Sequence, residues 1–380
     1  MIIKRFIEDE ILKHFKKIPV TAIIGARQVG KSTLARRILS HFKDYVYLDL
    51  ELEKNRNVLK EPYLFFEENR HKIICIDEIQ IMPHLFSEIK GLVDEYPKTK
   101  FLILGSSSPD LIKKASETMA GRVFYYEIPP FLWVEVNKKY SYKTHWLKGG
   151  LPKSLLSSNA YSKEWRKNYI RTFLERDIRQ FGFNIPSETL KRLWTMLAHI
   201  NGQVLNYSQL ANTLGLSSPT IKGYIDILEY TFMIRRLQPY YQNVSKRIIK
   251  SPKIYIRDTG ILHSLLDIDN WNGLFYHPVY GFSWESYVIE NVVHKFKDYQ
   301  PFYYRTSNGS EIDLLLIKDR KKIAIDIKAS AQPHISEGFI NAIQDLKVDK
   351  AFVIAQSDLK YNIHKNIAVY PFEKFMLEKI

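Results

Sequence analysis

Apolar residues along this chain fall into two kinds of block. Short, β-branched runs at 20–24, 45–50, 72–76, 101–104 and 123–128 predict buried strands. Between them, apolar residues return every three or four positions. That spacing predicts helices over 2–16, through Leu34, Ile38 and Leu39, and over 84–96. Strands alternating with helices in this way imply a parallel sheet covered on both faces, ending near Val136.

The pattern then changes. Residues 138–188 read as helical, with Trp165, Tyr169, Phe173 and Leu174 set among Arg, Lys and Glu, as in a small helical lid. Helices are expected at 190–200 and 207–214, the latter stopped by Gly215. A third is expected to be capped by Ser218, with Pro219 in its first turn and Ile221, Ile225 and Leu228 on its inner face. Strand-like runs follow at 232–237 and 253–256, giving the order of a winged helix-turn-helix. A last unit has a helix at 284–296, strands at 302–305, 312–317 and 323–327, then a closing helix and a strand at 351–355.

Composition narrows the class. With 380 residues, 45% hydrophobic and 26% charged, the chain is long enough for several folded domains and is not of the disordered type. A formal net charge of +15 points to a polyanionic partner such as DNA, or to a solvated lysine-rich surface. One cysteine, Cys75, excludes an intrachain disulfide and a Cys-based zinc site. The first fifteen residues are broken by Lys and Glu and lack a signal-peptide layout, and no apolar run has the length of a membrane span. A cytoplasmic protein without a membrane partner is expected.

The chemistry starts at 25–33, where GARQVGKST follows a strand and opens a helix. This is a complete phosphate-binding P-loop. Gly25, Arg27, Gln28, Val29, Gly30, Lys31, Ser32 and Thr33 are its candidate ATP-contact residues. Glycine lets backbone amides turn toward phosphate, and the helix N-terminus adds positive potential. Lys31 is expected on the β and γ phosphates and the Ser32 hydroxyl on Mg²⁺. The strand ending in Asp77-Glu78 supplies two acids: Asp77 for the Mg²⁺ shell and Glu78 to polarise the attacking water. After the fourth strand, Ser106 or Ser107 either senses the γ-phosphate or caps the next helix. Arg122 is a candidate arginine finger, or a surface salt-bridge residue.

Together the P-loop, Asp77-Glu78, GSSS at 105–108, AGR at 120–122, GGLP at 149–152, LERD at 174–177, RDTG at 257–260 and Trp284-Glu285 resemble one family. It is the bacterial and archaeal AAA-type ATPases that carry a C-terminal domain of unknown function. The resemblance covers nearly the whole chain. It implies an α/β fold: a P-loop AAA+ domain with a parallel sheet (1–136), a helical lid (137–188), a winged helix-turn-helix (189–258) and a nuclease-like C-terminal domain (259–380). It also implies a homo-oligomer, such as a ring, and roles for Arg122 and Arg176 as trans-acting or sensing arginines.

In the last unit, Glu311-Ile-Asp313 and Asp326-Ile-Lys328 stand on successive strands, similar to the PD-(D/E)XK nuclease signature. Asp313 and Asp326 can share a divalent metal, with Glu285 completing the site. Alternation puts Lys328 on the face of Asp326, where it can orient a nucleophile. Asp replaces the commoner Glu and the first acid lacks its preceding proline, so cleavage, DNA docking and a structural role all remain open. In the winged unit Thr220, Lys222 and Asp226 are expected on the exposed face of the third helix. Arg235, Arg236, Lys246, Arg247, Lys250 and Lys253 are expected to neutralise phosphates, with Tyr240 and Tyr241 either stacking on bases or packing. Three functions follow: an Mg²⁺-dependent ATPase remodelling or translocating DNA, an ATP-controlled nuclease, or a nucleotide-switched scaffold in defence or signalling.

Overall fold

In the computed structural model, which describes residues 3–106, 119, 121–241 and 249–378, the first five apolar runs form one sheet. Its strands are β1 (Val20–Ile24), β2 (Tyr45–Asp49), β3 (Ile73–Asp77), β4 (Lys100–Gly105) and β5 (Val123–Glu127). Their order is β2-β3-β4-β1-β5 and every pair is parallel. The central strands read as continuous apolar runs because both faces are buried. Ile23, Cys75, Leu102 and Leu104 pack with Leu34 and Ile38 of the Lys31–Leu39 helix. Val20, Ala22, Ile74, Ile76, Phe101 and Ile103 pack with Leu85, Ile89 and Leu92 of the Leu85–Glu95 helix on the other face. The order inserts β4 between the P-loop strand and the strand of the paired acids.

The first core continues into the middle of the chain. Trp165, Tyr169 and Phe173 of the Asn159–Thr172 helix and the π-helical turn Phe173–Asp177 join it, as do Trp194, Ile225 and Ile261. Helices Ser187–His199, Tyr207–Leu214 and Ser218–Tyr230 are followed by an antiparallel ribbon, β6 (Ile234–Leu237) with β7 (Lys253–Ile256). The cap of the third helix lies one residue earlier than expected. Ser217 accepts from Thr220 N at 3.2 Å, and Ser218 is already helical.

The last sheet has the order β12-β13-β11-β10-β9-β8, with β8 (Gln300–Arg305), β9 (Glu311–Lys318), β10 (Lys321–Lys328), β11 (Lys350–Ala355), β12 (Tyr361–His364) and β13 (Ile367–Pro371). The Tyr280–Lys295 helix packs through Val288 and Ile289 on one face, and the Glu337–Leu346 helix through Phe339 and Ala342 on the other. The unit does not close at 355. It adds β12, β13 and the Phe372–Leu377 helix. β12 is mostly exposed and polar, so it carries no apolar periodicity. Among the described residues no helix is long and apolar enough to cross a membrane.

Two motifs outside the nucleotide site are joints. Asp258 Oδ2 accepts from Gly150 N (2.8 Å) and Leu151 N (3.2 Å), and Oδ1 from Ile261 N (3.0 Å). A Cβ on Gly260 would lie 2.1 Å from Lys148 O, so only glycine lets the two segments close. Nearby, His263 accepts from Ser283 Oγ at 2.8 Å and donates to Leu147 O at 2.9 Å, while Trp146 Nε1 donates to the same Ser283 oxygen at 2.8 Å. Burial pushes His263 down to about 3. An unfolded histidine titrates near ~6.5. Below that pH the unfolded chain binds a proton that the folded chain refuses, so stability falls as pH falls. His263→Gln is expected to lose about 2 kcal/mol less than wild type between pH 7 and 5, measured by urea denaturation at both pH values.

Candidate functional site

β1 runs straight into the P-loop. Gly25 has φ 153°, and a Cβ there would lie 2.4 Å from Ile128 O, so the bend admits only glycine. Gln28 (φ 59°) and Gly30 (φ 102°) complete the curl. Gln28 and Thr33 are exposed and Val29 is buried. Behind the loop stands a residue that sequence reasoning missed. The Arg5 guanidinium donates to Val29 O (3.0 Å) and Pro129 O (2.5 Å) and pairs with Glu135 (3.0 Å). A lone arginine near the N-terminus gives no sequence signal of this role.

Lys31 opens the helix, and its ammonium donates to Gly25 O (3.0 Å), Ala26 O (3.0 Å) and Ser106 Oγ (2.8 Å). Burial pushes its pKa down, against the pull of Glu78 and Asp77. Because β4 lies between β1 and β3, Ser106 falls between the lysine and the acids. Its hydroxyl reaches the Glu78 carboxylate at 2.9 and 3.0 Å. Glu78 itself sits in the left-handed region (φ 57°) and also accepts from Gln80 Nε2, while Gln80 Oε1 accepts from Ser106 N at 3.3 Å. Asp77 is buried and accepts from the Tyr47 hydroxyl, and the Ser32 hydroxyl lies close by. Burial raises its pKa and those hydroxyls oppose the rise. Tyr47 and Gln80 were not foreseen; Gln80, two residues beyond the paired acids, offered the better signal. Ser107, Ser108 and Ala120 lie outside the described residues.

Arg27 is held by side chains from other segments of the chain. It pairs with Asp177 of the π-helical turn and with Glu51 (3.0 Å), and donates to Gln180 Oε1 (3.1 Å). Arg176 also reaches Glu51, at 3.4 Å, and Tyr169 OH donates to Arg27 O at 3.2 Å. LERD therefore meets the P-loop of its own chain. Arg122 pairs with Asp94 at 3.1 Å on the surface.

A second pocket of about 460 Å³ is lined by Glu285, Glu311, Asp313, Asp326, Lys328 and Lys253. Lys328 Nζ lies 2.9 Å from Asp326 Oδ1, and Asp313 Oδ2 accepts from Ile327 N at 2.9 Å. Lys253 Nζ stands 3.0 Å from Glu311, 3.3 Å from Glu285 and 3.5 Å from Asp313. Burial, with the charge of Asp313, lifts Asp326 to about 7. Burial also works against the Asp313 charge, but Lys253 and Lys328 outweigh it and hold the group low. Glu285, Asp313 and Asp326 share the pocket as expected. Yet among the described residues no three acids, cysteines or histidines are spaced to hold a metal ion.

Residues 17–137 match the AAA domain family. Residues 139–272 and 280–375 match two domains of unknown function, DUF8612 and DUF4143. The uncharacterized protein Rv2008c of Mycobacterium tuberculosis is 35% identical over 378 residues, spanning 99% of this chain and 85% of its own. The chain belongs to its family. The uncharacterized protein MJ1637 of Methanocaldococcus jannaschii is 24% identical over 437 residues, covering 97% of this chain and 86% of its own. A solved Walker-type ATPase of Pyrococcus abyssi, PABY2304, is similar with TM-score 0.48 at 17% identity, over 70% of this chain and 96% of that one. In this family member the P-loop, Asp77, Glu78 and Ser106 all lie within the AAA domain. The second pocket is shared: Lys253 comes from the DUF8612 match and its acids from the DUF4143 match.

Proposed function

We propose that this AAA-type protein is an Mg²⁺-dependent ATP hydrolase that acts on DNA, coupling turnover to remodelling or translocation. The observation that carries the hydrolase reading is the hydrogen-bonded chain from Lys31 through Ser106 to Glu78. It aligns a phosphate-binding ammonium, a polar residue at the strand end and a carboxylate that can take a proton from water. The glycine-built loop and the adjacent hydroxyl and carboxylate of Ser32 and Asp77 fit Mg²⁺–ATP. Bound there, the ion would neutralise phosphate charge. Lys31 would hold the β and γ phosphates, Glu78 would orient water, and Arg122 of an adjoining subunit would serve as the finger in a homo-oligomer.

DNA action is supported by the +15 charge and by the three helices and ribbon of residues 187–256. Only some of the cations first expected are free to bind DNA. Arg235 pairs with Glu290, Arg236 with Asp226 (2.7 Å) and Glu229, and Lys253 is buried among acids. Tyr240 packs on Phe302, and Tyr241 donates to Lys250 O at 2.8 Å. Lys191, Arg192, Lys222 and Lys250 are the exposed candidates, while Lys246 and Arg247 lie outside the described residues.

A second reading, an ATP-controlled metal-dependent nuclease with a PD-(D/E)XK-like site, is favoured by Asp326 Oδ2, which is buried beside the pocket without a hydrogen-bond partner. Steady-state ATP hydrolysis in Mg²⁺, with and without linear, single-stranded and branched DNA, tests both. Stimulation by DNA without cleavage is expected. Cleavage that disappears in Asp326→Ala would favour the nuclease, and no response to any DNA would favour a nucleotide-switched scaffold.

A further inference from the structure

Among the carbonyls of the phosphate loop, Val29 O has its partner outside the loop. Were the helix extended one residue back, this oxygen would accept from the amide four residues on, that of Thr33. The hydrogen bonding of the Lys31–Leu39 helix starts one residue later instead, with Leu34 N donating to Gly30 O at 3.0 Å. Val29 O is taken at 3.0 Å by Nη1 of Arg5. The peptide plane that carries Val29 O also carries the Gly30 N–H, and in a trans peptide the two point in opposite directions. Fixing the carbonyl therefore fixes the amide. With Val29 O drawn to Arg5, the Gly30 N–H faces away from the guanidinium, and no protein group among the described residues accepts it.

The backbone alone does not set this orientation. Gly30 has φ 102°, and turning the peptide over would carry it to negative φ, which glycine enters as readily. What Val29 O bonds to decides between the two. Arg5 is 5% exposed, and its nitrogens reach three separate places: Nη1 the loop, Nη2 Pro129 O at 2.5 Å, and Nε Glu135 Oε1 at 3.0 Å. The Glu135 side chain is 3% exposed and is itself fixed by the Phe6 and Leu132 amides. The N-terminal segment is also tied to the helix that follows the loop. Arg5 N donates to Glu8 Oε2 at 3.3 Å, and Glu8 Oε1 pairs with Arg37 at 2.8 Å.

We propose that Arg5 is a positioning residue for ATP: by holding Val29 O outside the loop, it aims the Gly30 N–H at the phosphates of the nucleotide. This rests on the ATP-binding reading above and names the residue that keeps its phosphate cradle formed. With its nitrogens engaged in protein, the guanidinium acts through the peptide and not as a phosphate ligand.

Arg5→Lys in the full-length protein tests this. It keeps the positive charge and the partner of Glu135, but one ammonium nitrogen cannot reproduce a fork that reaches three acceptors. Only a fraction of molecules would then hold the peptide in the phosphate-binding orientation, and the apparent dissociation constant rises by the inverse of that fraction. A rise of about tenfold, equal to about 1.4 kcal/mol, is expected in Kd for a fluorescent ATP analogue and in KM for ATP. Bound ATP draws the peptide back, so the loss in kcat/KM is carried by KM and kcat falls far less. Unchanged Kd and KM in folded Arg5→Lys, whatever its thermal midpoint, would overturn the proposal and leave Arg5 a tie for the N-terminal segment. A fall in kcat with Kd and KM unchanged would overturn it too. Wild type that binds ATP without hydrolysing it would sink the hydrolase reading and leave Kd to decide the role of Arg5, whereas wild type that binds no ATP would sink both. Should Arg5→Lys not fold, Arg5→Met/Glu135→Leu, which removes both members of the buried pair together, is read against the same outcomes.

Discussion

Glu78→Gln is expected to bind ATP as wild type does and to turn it over at least about a hundredfold more slowly. The substitution keeps the size and shape of the side chain. It still offers an oxygen to the Ser106 hydroxyl, which lies 2.9 and 3.0 Å from the native carboxylate. What it removes is the negative charge and the basic oxygen that could accept a proton from water. Lys31 retains Gly25 O, Ala26 O and Ser106 Oγ, so the phosphate-binding half of the site stays assembled. Binding of a fluorescent ATP analogue and phosphate release measured on the same preparation separate the two effects. Turnover near the wild-type rate would show that another group activates the water. Loss of binding instead would mean that Glu78 mainly holds Lys31 and Ser106 in place.

The sheet was legible because β1, β3 and β4 are buried on both faces, and such strands can hardly be written with anything but apolar residues. The nucleotide site was legible because its residues are tied to strand ends: a loop after β1, two acids at the end of β3, a serine after β4. Strand order was not written locally. Only the placement of β4 between β1 and β3 decides that Ser106 touches both Lys31 and Glu78. The wing cations misled for a related reason. Arg235 and Arg236 look free in sequence, but the partner of Arg235 lies 55 positions away, at Glu290. Lys253 reads as the polar start of a strand, and only the docking of β7 against β9 and the Tyr280–Lys295 helix turns it into the counter-ion of a buried acidic pocket. LERD was visible as a motif, yet its contact with Arg27 depends on a π-helical turn that no periodicity announces.

Glu290→Ala is expected to destabilise the protein by about 3–5 kcal/mol, the usual cost of leaving buried charge without its partner. Glu290 receives Arg235 at 3.1 Å and Arg257 at 3.2 Å, and its own pKa is held well below the usual range: burial opposes its charge, but the two guanidiniums outweigh that. Arg257 also pairs with Glu127, the last residue of β5, whose pKa is pulled to about 2. Both carboxylates have folded values below their unfolded ones. Their contribution is therefore present at neutral pH, begins to fade below about 4.3, and is lost as pH falls toward 2. The gap between wild type and Glu290→Ala in urea denaturation should accordingly be widest near pH 7 and narrow in acid. A loss below about 1 kcal/mol at neutral pH would show that Arg235 and Arg257 find water or other acids once Glu290 is gone. The position of this network gives the loss a functional side. Glu127 ends the AAA sheet, Arg257 follows β7, and Glu290 sits on the helix that also carries Glu285. Removing Glu290 cuts the ionic contacts of Arg257, one residue past β7, and of Arg235 on β6 with that helix, while the pairing of Lys253 with Glu285 on the same helix remains.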